Sequence, residues 1–361
     1  MFTERTSVGL DVHARSVVAC AIDGVSGELV RARLCPEHGE ILGWLGRLAG
    51  PVAVAYEAGP TGFVLARAVR AAGVRCEVVA PSKLQRPCGD RVKTDARDAL
   101  HLAKLLRLDE ITAVRVPSEA QESARDLVRA REDVRGELMR ARHRASKLLL
   151  RQGIVWSGGQ GWSLAHHAWL RRQAFPGRPG LQIAYDSAYE AVLLAESRRD
   201  RLDRAIAEMA KDPMWAGVVA RLQCLRGIST LTGFALAVEI GDWERFTGAS
   251  IGAYLGLVPS ECSSGASRVQ GPITKTGNTH ARRLLVEAAW HHRPRYRPSV
   301  MMQARWDLAP AAARARGHAG NLRLHQRWEG FTERKKKPVV ANVAIARELA
   351  GWCWSLATMP G

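Results

Sequence analysis

The stretch "SVGLDVHARSVVACAIDGVSGELVRARL", residues 7–34, decides how the N-terminal part folds. Residues 7–12, 16–22 and 28–34 are three short apolar or alternating runs, each of strand length. Gly24 and Gly27 stand between the last two, a hairpin signal. Working outward, "EHGEILGWLGRLAG" (37–50) reads as a helix ending at Gly50. "PVAVAYEAG" (51–59) is apolar until Glu57, the pattern of a strand buried on both faces. A helix over 61–73, a strand over 74–80 and a helix from about Thr94 follow.

A three-stranded meander followed by alternating helices and strands is the element order of a ribonuclease-H-like sheet, so an α/β N-terminal domain is expected. Beyond Pro117 the pattern becomes helical. Apolar residues recur in steps of three and four over 120–150 and again over 188–209, with Arg131 and Arg199 interrupting the stripes. Such heptads predict a coiled-coil hairpin or an oligomerisation arm, or else an ordinary amphipathic helix pair. Residues 220–290 read as helix, tight turn and helix, then a Gly/Ser-rich loop, then a helix resuming near His280. The turn "RGIST" resembles a helix-hairpin-helix element, whose exposed backbone N–H groups can hold a phosphate. The expected division is 1–115, an acidic metal-binding domain; 116–215, helical; 216–310, mainly helical; and 311–361, a basic tail with a last helix.

Lys and Arg number 53 against 35 Asp and Glu, a formal net charge of +18. Basic residues run along the whole chain, interleaved with Trp and His, which suits a polyanion partner such as nucleic acid. No apolar run reaches the ~20 residues of a spanning helix, and the N-terminus carries no signal-peptide pattern. Seven scattered cysteines lack CxxC or zinc-finger spacing and read as reduced cytoplasmic thiols. The expected location is therefore the cytoplasm. His166, His167, His291 and His292 are paired histidines near Trp and Arg, a setting in which packing or stacking is commoner than metal ligation.

Acids placed against this charge stand out. In "VKTDARDALHLAKLL" (92–106), with Asp95 at zero on a helical wheel, Asp98 falls at about 300°, Leu102 at about 340°, Leu105 at about 280° and Leu106 at about 20°. Arg97, Lys104 and Arg107 fall between about 120° and 200°, on the opposite face. Thr94 can cap the helix, and an acid in its first turn suits the macrodipole. That accounts for Asp95 but less well for Asp98, deeper along the leucine stripe. Asp11 lies near the end of the first strand and Glu57 ends the fourth. In a ribonuclease-H-like sheet these two strands are central neighbours, so four carboxylates would converge. Their mutual repulsion is relieved by divalent metal, which can also clamp the oxygens of a phosphodiester.

"GLDVH", "YEAGPTG", "KTDARDALHLA", "ISTLTGFALAVEIGD", "AYLGLVPSECSSG" and "GPITKTGNTHARRLLVEAA" occur in that order and together resemble the DEDD transposases of bacterial insertion sequences. These are the bridge-RNA-guided recombinases related to the Piv/MooV DNA invertases. The resemblance covers most of 5–110 and 220–290, with a looser match in the final helix. It implies a RuvC-like N-terminal domain whose tetrad is Asp11, Glu57, Asp95 and Asp98, binding Mg²⁺ or Mn²⁺. It implies a C-terminal transposase domain with a serine nucleophile before a glycine, here Ser264 in "CSSGAS", with Ser263 the alternative. It further implies a composite site from different subunits and a covalent protein–DNA intermediate. The partners it implies are double-stranded donor and target DNA, a structured guide RNA, and other copies of the chain in a dimer or tetramer. Arg268, Lys275, His280, Arg282 and Arg283 around the serine are candidates for nucleic-acid phosphates.

Three readings follow. The leading one is a transposase or recombinase of an insertion element. The others are a RuvC-like junction-resolving or structure-selective nuclease, which would need the acids and no serine, and a non-catalytic nucleic-acid-binding protein; a DNA invertase without guide RNA is a variant of the leading one. The insert 154–180 matches no motif.

Overall fold

The computed structural model describes residues 4–84, 94–264 and 267–360, so Val92, Lys93, Gly265 and Ala266 of the motifs above lie outside the described residues. The chain divides between Ser118 and Glu119 into two compact units.

The first unit runs β1 (Thr6–Val12), β2 (Val17–Asp23), β3 (Leu29–Leu34), α1 (His38–Leu45), β4 (Val52–Glu57), α2 (Val64–Ala71), β5 (Arg75–Val79), α3 (Asp95–Arg107) and the two-residue β6 (Ala113–Val114). The six strands form one mixed sheet in the order β3-β2-β1-β4-β5-β6. β1, β4 and β5 are parallel at its centre; the other pairings are antiparallel. This meander plus parallel centre fits the RuvC-like arrangement expected from the sequence; only the short β6 was not anticipated.

Alternation along the central strands divides the sheet into two unlike faces. Val8, Leu10, Val54, Tyr56 and Val78 point to one side and pack against Ile41, Trp44, Leu45, Leu65 and Val69 of α1 and α2. Ala53, Ala55 and Val79 point to the other, against Leu102 and Leu106 of α3. This second face is made of small side chains, and at Gly9 of β1 there is none. A Cβ built there would fall on the Ala99 carbonyl of α3. The helix backbone therefore lies directly on the strand.

The second unit contains α4 (Glu119–Arg151), α5 (Leu164–Leu170), α6 (Pro179–Met209), α7 (Pro213–Leu222), α8 (Thr230–Ile240), α9 (Ser250–Tyr254), β7 (Pro259–Ser264), β8 (Ser267–Ile273), α10 (Thr279–Ala289), α11 (Val300–Trp306), α12 (Ala311–Glu333) and α13 (Pro338–Ala357). α4 and α6, of 33 and 31 residues, pack along each other as an antiparallel hairpin. Leu138, Ala141, Ala145, Val192 and Ala195 meet along its seam. Arg131, which interrupts the apolar stripe, donates to Asp203 of the facing helix at 2.7 Å. Arg198 pairs with Glu137 and Arg142 with Glu196, each at 2.6 Å. The heptads are thus matched within the chain, as a helix pair.

The insert 154–180 finishes the tip of this arm. His166 is buried among Trp156, Trp162 and Trp169, and its Nδ1 accepts the Trp162 backbone N–H at 2.7 Å. His167 Nδ1 lies 3.1 Å from the Tyr189 hydroxyl and Nε2 3.4 Å from Glu196. The paired histidines here are packing and bridging groups. Residues 311–361, read from the sequence as a basic tail with a last helix, form that helix and a second one before it; their Leu324, Ile345, Leu349 and Leu356 share one core with Leu222, Ile228, Leu236 and Leu285. Arginines on the outer faces of α12 hid that core from a count of charge.

Candidate active site

The acidic residues of the first unit gather where β1 and β4 end. Gly9 and Asp11 are two apart on β1, so both face α3. Ala53, Ala55 and Glu57 are likewise spaced on β4. The parallel register pairs Leu10 with Tyr56, and Asp11 and Glu57 each come one residue later. α3 begins at this edge. Thr94 is its N-cap, accepting from the Arg97 N–H, and Asp95 and Asp98 occupy its first turn one turn before Ala99 and Leu102, which rest on the strands. Leu102, Leu105 and Leu106 are buried, Arg97 and Lys104 exposed, as the wheel predicts. Asp98 is half-buried and Asp95 exposed.

Among the described residues, the group whose ligand atoms all lie within 4.8 Å of one another is Asp11, His13 and Asp95. His13 Nε2 is 3.3 Å from Asp11 Oδ2 and 3.9 Å from Asp95 Oδ1. Glu57 and Asp98 stand outside this tight group, on the same face. Burial raises the Asp11 carboxyl above its usual range; the neighbouring His13 opposes that shift, while the charges of Asp95 and Asp98 add to it. Negative charge crowded onto a partly buried carboxyl favours a cation, and two carboxylates with an imidazole are donors for a divalent ion. The group thus fits a divalent metal. His13 was missed in the sequence; the signal was its position two residues after Asp11, on the same side of the strand.

The serine segment of the second unit is a two-stranded antiparallel ribbon rather than the loop its Gly/Ser content suggested. β7 and β8 pair from Pro259–Ile273 to Ser264–Ser267, and nearly every residue is exposed on both faces. Ser263 Oγ donates to Glu261 Oε1 at 2.9 Å, and Arg268 holds the other oxygen at 3.1 Å. These bonds hold the Glu261 carboxyl below its usual range. Ser264 ends β7, exposed, and its hydroxyl is bonded to none of the described side chains.

A buried polar network fixes the root of this ribbon. Glu239 on α8, whose side chain is fully buried, accepts from Arg129 of α4 at 3.1 and 3.0 Å, from Asn278 at 2.8 Å and faces His280 Nδ1 at 3.1 Å. Burial pushes its carboxyl up, but the bonds from His280, Arg129 and Asn278 outweigh this and hold it at about 2. Gln121 and Arg125 satisfy the last carbonyls of α8, at Val238 and Glu239. Asn278 caps α10. The basic residues proposed for phosphate contact accordingly differ in their setting. His280 is held by Glu239; Arg282 donates to the Leu255 and Thr276 carbonyls; Arg283 bonds Glu132 and Glu287. Arg268 and Lys275 are on the exposed side.

The "RGIST" turn joins α7 to α8. Gly227 has φ +83°, and Ser229 caps α8 by accepting from the Thr232 N–H. A Cβ at 227 would also strike the Ala288 carbonyl, so both backbone conformation and space call for glycine. Beside the turn lies a polar concavity of about 460 Å³ lined in part by Arg226, Ser229, Thr232, His291, Arg297 and Arg305.

Comparison with known proteins finds two family matches along the chain. Residues 8–153 match a transposase family of DEDD, IS110 type, and residues 219–305 match the transposase IS116/IS110/IS902 family. A Sinorhizobium fredii protein named as a transposase, y4qE, is 40% identical over 305 residues, 84% of this chain and 74% of that one. The transposase for insertion sequence element IS1533 of Leptospira borgpetersenii is 30% identical over 347 residues, 91% of this chain and 97% of its own. With relatives matching along most of their length, and transposase families matching residues 8–153 and 219–305, the chain belongs to the IS116/IS110/IS902 family and is a DNA transposase.

Proposed function

We propose that this transposase exchanges DNA strands through a divalent-metal site held by Asp11, Glu57, Asp95 and Asp98 and a serine nucleophile, Ser264, working in an assembly of several copies and guided by a structured RNA. The observation that carries the reading is the convergence of Asp11 and Asp95 at the end of β1, with Glu57 and Asp98 on the same face. A divalent ion bound there, Mg²⁺ or Mn²⁺, would neutralise charge on a phosphate and on the oxygens entering and leaving it. The four carboxylates would hold that ion, and the ion would supply the positive charge that a phosphate needs there. The Ser264 oxygen bonds to phosphorus, one bridging P–O bond breaks, and the serine proton ends, net, on the displaced deoxyribose oxygen. The energy of the phosphodiester is conserved in the protein–DNA link, so a second strand's hydroxyl can reverse the step on a new partner.

The exposed hydroxyl of Ser264 and the engagement of Ser263 with Glu261 support Ser264 over its neighbour. Arg268 and Lys275 flank it as phosphate contacts, and the concavity at the 226–232 turn offers N–H and guanidinium donors to a further phosphate. His280, Arg282 and Arg283 are assigned instead to holding the ribbon's root. Recognition by RNA pairing would leave sequence choice outside the side chains. The test is adduct formation on element-end DNA, followed by denaturing electrophoresis. Ser264→Ala abolishes the covalent adduct and recombination, Ser263→Ala retains both, and Asp11→Asn lowers both by more than about a hundredfold. Cleavage by Ser264→Ala with free ends would instead identify a hydrolytic nuclease.

A further inference from the structure

We propose that His13 is a nitrogen ligand of the cation at the acidic site and gives that site a preference for Mn²⁺ over Mg²⁺. The proposal rests on the reading of the acidic site given above and adds to it a donor of different chemistry. Three observations carry it. First, His13 joins Asp11 and Asp95 in the tightest group of ligand atoms among the described residues, whereas Glu57 and Asp98 stand further off. Second, the spacing suits a shared ion. Donors about 2.1–2.2 Å from one octahedral centre lie roughly 3 Å apart when adjacent and roughly 4.3 Å apart when opposed. The 3.3 Å from Asp11 is near the adjacent spacing, and the 3.9 Å from Asp95 lies between the two, within a small side-chain adjustment of either. Third, the ring is aimed by the backbone. The His13 N–H donates to the Ser16 carbonyl at 3.0 Å, closing the turn between β1 and β2. Residues 9, 11 and 13 then alternate onto the side covered by α3.

A histidine serving only to hold Asp11 would need one carboxylate partner; this one faces two. Mg²⁺ demands oxygen donors, while Mn²⁺, although the weakest binder of the first-row transition ions, accepts an imidazole nitrogen more readily than Mg²⁺ does. The nitrogen is therefore expected to discriminate between the two ions that all-oxygen carboxylate sites treat more alike. His13 is half-exposed, so replacing it leaves the core of the sheet intact.

Full-length protein titrated with Mn²⁺ alone and Mg²⁺ alone, at one pH, provides the test, with the Mn²⁺ surroundings read by electron spin echo envelope modulation. The native protein is expected to show nitrogen modulation from one imidazole, which His13→Gln removes. Mn²⁺ dissociation in that variant rises about tenfold, and Mg²⁺ affinity stays within about twofold. Nitrogen modulation that survives His13→Gln, native Mn²⁺ binding without any nitrogen signal, or an equal loss for both ions overturns the proposal. Asp11→Asn separates this failure from that of the underlying reading. If native protein binds no Mn²⁺, or Asp11→Asn binds it as tightly as native with the nitrogen signal intact, the acidic site itself is misassigned.

Discussion

A methyl group at position 9 has nowhere to go. The hydrogen of Gly9 is what allows α3 to rest its backbone on β1, and the same contact brings the first turn of α3 over Asp11. Gly9→Ala must therefore lift the helix, at about 1–3 kcal/mol, and separate Asp95 from Asp11 and His13. Its expected signature is a lower melting temperature together with weakened Mn²⁺ binding in calorimetry; unchanged Mn²⁺ affinity would show that the helix is not what positions the acids. At this scale much was legible. Helical periodicity placed Asp98 on the leucine face, where it is half-buried, and matched Thr94 to its capping role. His13 was less so. It lies one residue past the end of β1, and only its spacing from Asp11, which continues the strand's alternation, marks it.

Between elements, the Glu239 network links α4, α8 and α10, and it carries a pH dependence. The carboxyl is near 4.5 in the unfolded chain and at about 2 when folded, so its stabilisation is complete above about pH 4.5 and is lost as the pH falls from there toward 2. A depression of this size corresponds to roughly 3 kcal/mol. Thermal melts between pH 7 and pH 3 are expected to show native protein losing stability below about pH 4.5. Glu239→Gln should be less stable at pH 7, by roughly 3–5 kcal/mol for breaking a buried pair, and lack that component. Most strands and helices of the first unit were readable because each has a buried face; β3, largely exposed, was marked by the glycines of its hairpin. The β7–β8 ribbon was not, because a strand exposed on both faces has no apolar alternation, and its Gly and Ser residues imitate a loop. The partner of Arg131 was likewise hidden: an arginine in an apolar stripe becomes intelligible only once Asp203 faces it.

For the molecule as a whole, the net charge of +18 overstates the surface offered to nucleic acid. Arg125, Arg221 and Arg282 spend their donors on helix-end and loop carbonyls, and Arg129, Arg131, Arg142 and Arg283 on carboxylates. Enough remain that binding should be dominated by counterion release. Affinity for duplex DNA is expected to fall by roughly 10³-fold between 50 and 200 mM salt, with a linear slope of log affinity on log salt in filter-binding or fluorescence titrations. A slope near zero would remove the electrostatic reading of the composition. No described helix is long and apolar enough to cross a membrane. The antiparallel arm has its own bearing on how such a chain can change over time. Its helices are stitched by Arg131 to Asp203, Glu137 to Arg198 and Arg142 to Glu196. Seven residues inserted into α4 alone would put every later stitch out of step. The same insertion made in both helices would restore them and lengthen the arm by about 10 Å, since each residue adds 1.5 Å, leaving its base and its tryptophan-rich tip as they are. The arm is thus an adjustable gauge, whose span can drift only in matched increments.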